Sequence, residues 1–511
     1  MTDWTAGYVA DIGYTYGYYP ELNPLRVQMA FLEAGLVFPK VGAACELGFG
    51  QGVSVNAHAA ASITQWHGTD FNPAQAGFAQ ELAQATGAGA KLYDEAFDIF
   101  CARSDLPDFD YICLHGIWSW VSDENRHVIV DFIRRKLKVG GVLYISYNVQ
   151  CGWSSMIPAR DLMTQHSEVM SAPGQNILVR IDNALDFMDQ LMATSPAFAR
   201  ANPQLVDRFK QMKGLSRNYL AHEYFNRDWA PMPFSKMAEW LEAAKLTYAC
   251  SAHPMDHVDI VNLTDQQQTL LKQVPDAVFR ETVRDFCTNQ NFRKDYWVKG
   301  ARRLNTLEQG IAIREQTVVL VKEISSINLT IKAGQGEVTM QEAVYKPILN
   351  ALSDYRPKSI GQIEQLVKDK SVSFAQLRQA MLILAGIGAI CAVQDEAVVG
   401  KAKKQTDKLN AYFCDKAYFS DDLPYLVSPL IGACIASSRT ERLFLLARLQ
   451  GKKQAGDWAQ LAWQALSMRG QKLVKENVTL ETEAENMAEL LIRANDFVAN
   501  RLPILKALGI A

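Results

Sequence analysis

The chain has 511 residues, 49% of them hydrophobic and 21% charged, enough apolar surface for a large core spread over roughly two to four domains. Its formal net charge of -3 excludes a global attraction to nucleic acid or to an anionic membrane. The nine cysteines stand singly with no CxxC pair, which excludes a disulfide scaffold and fits a reduced, cytoplasmic protein.

In chain order, residues 1–7 lack the basic start and apolar core of a secretory signal. Residues 8–19 then carry five tyrosines, Tyr8, Tyr14, Tyr16, Tyr18 and Tyr19. So dense an aromatic stretch either lies over a ligand cleft, where ring faces attract a cation, or folds back as an arm on its own domain. Residues 24–36 read as an amphipathic helix. An apolar strand follows at 41–47, then glycines at alternate positions, Gly48, Gly50 and Gly52, then a helix start at 53–61. A strand, a glycine turn and a helix hold a nucleotide-type cofactor, because glycine leaves no Cβ to obstruct a ligand pressed on the turn. Asp70 falls at the end of a second strand, where a carboxylate can accept both ribose hydroxyls.

Charge separates the two cofactor classes that use this layout. A dinucleotide sets its pyrophosphate on the helix N-terminus and spaces the third glycine three residues after the second; here the spacing is two. Glu46, two residues ahead of Gly48, would repel a pyrophosphate at a few Å and attract the ammonium and sulfonium of S-adenosylmethionine. The methyl donor is therefore the expected cofactor, and no metal is expected.

Past Asp70 the alternation continues. Asn72 caps and Pro73 opens a helix that stops at Gly87. The third strand runs over 90–97, placing Asp94 and Phe97 to meet an adenine, with Asp98 nearly as well placed as Asp94. A fourth strand at 109–114 exits into Leu-His-Gly-Ile-Trp-Ser-Trp-Val. Ser122 begins a helix with acids first and bases last, the order the helix dipole prefers. A fifth strand at 142–147 exits at Asn148. Such alternation predicts a doubly wound, Rossmann-like α/β sheet with its ligand at the C-terminal edge. That edge collects Glu46 to Gly52, Asp70, Phe71, Asn72, Asp94, Phe97, His115, Trp118, Trp120, Tyr147 and Asn148. Residues 150–227 read as helices separated by Pro158, Pro173 and Pro203, an insertion placed as a substrate lid over the ligand edge. A helix at 234–245 and strands at 246–252 and 258–263 complete the sheet.

Segments 8–39, 45–52, 109–121, 143–153 and 219–225 resemble the class I methyltransferases that carry a methyltransferase regulatory domain, and among them the rickettsial-type protein-lysine methyltransferases, which modify outer-membrane surface proteins. The resemblance covers roughly residues 5 to 300, and its Leu-His-Gly-x-x-Ser-Trp-Val and Ser-Tyr-Asn pieces are more specific than the glycine loop. It implies a seven-stranded methyltransferase sheet, S-adenosylmethionine as donor, and a protein substrate methylated at lysine, a surface or outer-membrane protein met before export. It carries Glu46, Gly48, Gly50, Gly52 and Asp70 over as donor contacts, with Asp94, His115, Trp118 and Tyr147 beside them. Ala96 stands where the resemblance leads one to expect serine. A lysine arrives protonated, with an ordinary pKa of about 10.4; burial among Trp118, Trp120 and Tyr147 would help it lose that proton, and Tyr147, Asn148 or His115 would orient the amine. A small-molecule or RNA acceptor, and a donor-binding regulator that transfers nothing, are the readings that these residues leave open.

In the C-terminal half, the His253-Pro-Met-Asp-His257 spacing reads as a surface loop, because proline disfavours the helix a metal pair would need. Arg293, Lys294, Lys299, Arg302 and Arg303 among aromatics read as a solvated face. Strand-like runs at 317–331, helices at 341–355, 359–368 and 373–386, and a hairpin at 389–399 resemble a winged helix. Its third helix presents only Arg378 to a base and favours protein over DNA. Residues 405–511 read as wholly helical, with segments able to form a homodimer. The longest apolar run, 380–393, is too short for a bilayer span, so neither membrane insertion nor a stable nucleic-acid complex is expected. The expected divisions are a core at 1–150 and 228–265, the helical insertion at 151–227, a regulatory connecting region at 266–305, the winged-helix-like domain at 306–400 and a helical domain at 401–511.

Overall fold

The computed structural model describes residues 8, 12–172 and 174–511. The N-terminal reading of 1–7, part of the tyrosine-rich stretch at 9–11, and Pro173 lie outside the described residues.

Seven strands form the central sheet: β1 (Ala43–Leu47), β2 (Gln65–Asp70), β3 (Lys91–Asp94), β4 (Phe109–Leu114), β5 (Leu137–Asn148), β6 (Leu246–Ser251) and β7 (Phe292–Lys299), in the order β3-β2-β1-β4-β5-β7-β6. The first five pair in parallel, while β7 runs antiparallel to both β5 and β6. Because side chains alternate along a strand, the sheet feeds two cores. Ile112, Leu114 and Ile145 meet Ile129, Ile133 and Met237 on one face, and Tyr111, Cys113 and Tyr144 meet Val27, Phe31 and Val55 on the other. The expected caps are in place: the Asn72 side chain accepts from Ala74 N, the Ser122 hydroxyl accepts from Asn125 N, and Gly87 closes its helix in the left-handed region.

The sheet departs from expectation at its last strand. Residues 258–263 are not a strand; they hold the short helix Asp259–Asn262. The missing strand is β7, within the stretch expected to connect domains, so the sheet extends past residue 265. The basic cluster read as a solvated face is thus partly interior. The buried Arg293 guanidinium donates to Asp295, Asp285, Glu281 and the Tyr248 hydroxyl, and Lys294 pairs with Glu21.

Residues 150–224 form the expected run of helices, closed on their own core of Met163, Ile181, Leu185, Met188, Leu205 and Phe209. The next unit has its three helices at Glu342–Ala351, Ile360–Leu366 and Phe374–Gly386. No hairpin forms at 389–399: Ile390–Ala392 pairs with Thr317–Leu320 instead, and the helix Glu396–Ala417 begins four residues later. Arg378 pairs with Glu33 of the core, so that helix makes a protein contact within the chain. The C-terminal region is not wholly helical. Tyr425–Ser428 pairs with Ala433–Ala436, and Val474–Lys475 with Val478–Thr479.

Candidate active site

The glycine turn after β1 is built as tightly as its spacing implies. Gly48 and Gly52 both lie at φ 68°, in the left-handed region. A Cβ on Gly52 would fall 2.4 Å from Ala79 Cβ, and one on Gly48 would fall 2.6 Å from Ile117 Cδ1. The turn is pinned to the end of β2, where Asp70 Oδ2 accepts from Gly50 N at 2.8 Å and Oδ1 accepts from Asn72 N at 3.0 Å.

Two cavities that share a wall open at this edge. The outer one, about 270 Å³, is lined by Phe71, Glu95, Ala96, Phe97, Asp98 and Asp228 among others. The inner one, about 50 Å³, lies between Glu46 and the tyrosines Tyr8, Tyr14 and Tyr19, with His115, His222 and Glu223. Tyr8, Gly48, Asp70, Gln75, Ile117 and Trp120 border both. Among the described residues, six acids line the cleft (Glu46, Asp70, Glu95, Asp98, Glu223 and Asp228) and no lysine or arginine does. Such a cleft repels phosphate and draws in a cation.

Burial sets the charge of these groups. It pushes the Glu46 carboxyl up to about 8, with Asp70 adding to the rise. Asp70 rises to about 7 by burial, against the pull of the Asn72 and Gly50 amides. Glu223 rises to about 7 by burial. His115 goes the other way: burial lowers it to about 3, against the pull of Glu21, so its ring is neutral at physiological pH. That ring stacks on Tyr19 at 3.6 Å, and its Nδ1 lies 2.7 Å from the Tyr144 hydroxyl.

The structure brings Glu46, Gly48, Gly50, Asp70, Phe71, Phe97 and His115 together around the cleft. Gly52 stands behind it as the N-cap of the helix Val53–Ala61. Asp94 is exposed at the end of β3, and Asp98 takes the place at the outer cavity. Trp118, expected at the acceptor, is instead buried in the core beside Trp240, its indole N–H on the Met232 sulfur; Trp120, two residues on, lines the cleft. Tyr147 donates its hydroxyl to Asp295 beneath the sheet edge, and Asn148 is buried with its backbone N–H on the Ser119 hydroxyl. Neither lines the cleft. Both readings of the tyrosine-rich arm hold at once, since Tyr14 and Tyr19 line the cleft while Tyr18 packs away from it on His58 and Tyr425. Sequence reasoning missed Glu223 and Gln75; Glu223 lies in the 219–225 segment that carried the resemblance.

Residues 216–299 match the family model of a predicted methyltransferase regulatory domain. An uncharacterised protein of Synechocystis is 42% identical over 513 residues, spanning 99% of this chain and 100% of the relative. PKMT2 from Rickettsia typhi, solved in complex with AdoHcy, superposes over 97% of this chain and 100% of its own at a TM-score of 0.73 and 19% identity. The chain belongs to one family with the Synechocystis protein, shares the fold of PKMT2, and carries a segment that matches the methyltransferase regulatory domain. An uncharacterised protein of Rickettsia prowazekii is 28% identical over 286 residues, 54% of this chain and 49% of that one. In this chain the matched segment contributes β6 and β7 to the central sheet, and His222 and Glu223 to the cleft.

The residues present fit the donor. The Glu46 Oε2 atom is buried without a hydrogen-bond partner among the described residues, and such a buried acceptor suits the donor's ammonium. At Gly50 a Cβ would have no neighbour nearer than 3.7 Å, so the turn can be approached closely there.

Proposed function

We propose that this methyltransferase transfers methyl groups from S-adenosylmethionine to lysine side chains of a protein substrate. The observation that carries the reading is the cleft itself, lined among the described residues by six acids and no lysine or arginine, at the C-terminal edge of the sheet. A sulfonium-bound methyl supplies the electrophile. Glu46 would hold the donor's ammonium and Asp70 its ribose hydroxyls, while Phe71, Ala96, Phe97 and Asp98 face its adenine. His115, neutral and held by Tyr144, brings no positive charge to compete with that cation. Trp120 and the tyrosines exclude water, which disfavours the charged form of an incoming amine once it has entered. Its proton would pass to a cleft carboxylate, and the freed nitrogen lone pair would take the methyl as the carbon–sulfur bond breaks. An RNA acceptor would bring phosphates to an acidic rim.

The proposal extends to a cytoplasmic enzyme that meets its protein before export, and to pairing of two copies through the helix Glu483–Asp496, which leaves Leu491 and Ile492 exposed. Among the described residues no helix is long and apolar enough to cross a membrane.

The test is methyl transfer from labelled S-adenosylmethionine into host lysate separated into protein, RNA and small-molecule pools, with Asp70→Ala as control. Label in a discrete protein band, absent with the variant and mapped to lysine, is the expected result. Label confined to another pool would overturn the protein acceptor, and equal donor affinity in wild type and Asp70→Ala would overturn the pocket.

A further inference from the structure

The helix Arg217–Tyr224 aims the regulatory-domain segment at the cleft. Its N-cap, Ser216, accepts from Tyr219 N, which fixes where the helix starts. One turn later His222 is buried against the tyrosine arm: its Nε2 meets the Ile12 carbonyl at 3.1 Å, and its ring packs on Tyr14 at 4.9 Å and Tyr8 at 5.4 Å. The helix is anchored beyond its end as well, where Thr164 donates to the Tyr224 carbonyl and Arg160 to the Asn226 carbonyl. With its neighbours locked, Glu223 is delivered to the inner cavity among Tyr8, Tyr14, Tyr19 and Glu46.

Glu223 has no task within the fold. Among the described residues no side chain or backbone group donates a hydrogen bond to its carboxylate and no base pairs with it, although burial already disfavours its charge. Its side chain is half-buried, and an acid partly withdrawn from water without a partner is costly unless a ligand supplies one. The donor's needs are met elsewhere, its ammonium by Glu46 and its ribose by Asp70. A second cation must answer Glu223, and the rings of Tyr8, Tyr14, Tyr19 and Trp120 around the cavity suit one, since aromatic faces attract an ammonium and pack along an aliphatic stem.

Resting on the donor reading above, we propose that Glu223 is the acceptor-binding carboxylate: it receives the ammonium of the substrate's lysine side chain while the surrounding tyrosines enclose its stem. The regulatory-domain segment thereby completes the active site and sets its preference for a cationic acceptor.

The test needs no knowledge of the natural substrate. Two S-adenosylhomocysteine analogues are compared, each with nitrogen replacing sulfur, one carrying a 2-aminoethyl arm, which sets its ammonium where the attacking lysine nitrogen would stand, and the other a propyl arm of the same length. Wild type is expected to bind the amino arm about tenfold or more tightly than the propyl arm, as a charged hydrogen bond in a partly desolvated site should. Glu223→Gln, which keeps the shape, is expected to lose that preference while binding S-adenosylhomocysteine as wild type does; Glu223→Asp is expected to keep part of it. A preference that survives in Glu223→Gln, or one absent from wild type, overturns the assignment. Failure of wild type to bind S-adenosylhomocysteine itself would instead overturn the donor reading, and the assignment with it.

Discussion

Glu46 is buried at 2% exposure with its carboxyl pushed up to about 8, so the cleft holds a group whose charge is suppressed. A carboxyl whose folded value is raised contributes stability below its ordinary value of 4.5, and that contribution is lost as pH rises through about 8. Asp70 acts in the same direction through about 7. Two outcomes follow for Glu46→Gln. By calorimetry without ligand it should melt a few degrees above wild type near pH 8.5, with the gap closing towards pH 5. By titration it should bind S-adenosylmethionine at least tenfold more weakly, because the ionised carboxylate is the partner of the ligand's ammonium. In wild type, donor affinity should rise with pH up to about 8 and then level, with protons released on binding near pH 7, read as a dependence of the apparent binding enthalpy on buffer. A pH-independent affinity would show that these acids do not face the cation. This part of the site was legible because its residues are local in sequence: Glu46, the glycines and Asp70 occupy one strand-turn-helix-strand unit. Glu223 was not, since it reaches the cleft from a helix more than 150 residues away. Trp118 and Trp120 sit on one short turn, and which of them faces the cleft depends on how that turn packs, with Ser119 bonded to the end of β5.

At the scale of elements, the same contrast separates β1 to β5 from β7. Strands covered on both faces by helices read as nearly unbroken apolar runs, as β1, β4 and the second half of β5 do, while β2 was placed by Asp70 after the glycine turn and β3 by the strand-helix alternation. β7 reads Phe-Arg-Lys-Asp-Tyr-Trp-Val-Lys, which resembles a solvated surface. Its polarity is instead spent inside: Arg293 and Asp295 point to one face, where they bind each other and, through Arg293, Asp285, Glu281 and Tyr248. A buried charge network contributes little net stability when complete but is costly to break, because a removed partner leaves the others uncompensated. Asp285 is already raised to about 7, burial outweighing the pull of Arg293. Arg293→Ala should therefore destabilise the protein by roughly 3–5 kcal/mol, measured by denaturant unfolding. Arg293→Ala combined with Asp285→Asn and Asp295→Asn should recover part of that loss, since the stranded charges go with the arginine. Equal loss in the single and triple variants would show that packing, and not charge, is what β7 contributes.

At the scale of the whole molecule, the helix that follows the glycine turn explains why the C-terminal half belongs to the site. Val53–Ala61 is buried along its entire length, an unusual state for a helix on the face of an α/β sheet, whose outer side ordinarily meets water. The sheet covers one side. The C-terminal region covers the other, where Leu409, Phe413, Leu423 and Val427 pack on Val53, Ala57, Ala60 and Ala61. Polar ties seal the seam: Gln394 donates to the Ala61 carbonyl at 2.7 Å, Asn23 donates to the Ile431 carbonyl at 3.1 Å, and the Tyr412 hydroxyl donates to Glu81 at 2.6 Å. The sequence carries the trace of this arrangement in its run of small apolar residues, but only the fold says what they are pressed against. Among the described residues none beyond Asp228 lines the cleft, so a detachable C-terminal module would leave donor binding intact when removed. The packing predicts otherwise. Phe413→Ala should cost about 3–5 kcal/mol as a buried aromatic truncation, and should lower S-adenosylhomocysteine affinity although it lies outside the site, because the glycine turn is held in place by the helix that Phe413 covers. A chain ending at Asp395 should fail to bind the same ligand or to stay in solution, since it exposes that apolar helix face. A soluble truncated chain with wild-type affinity would mean that the sheet alone holds the turn and that the C-terminal region serves another purpose.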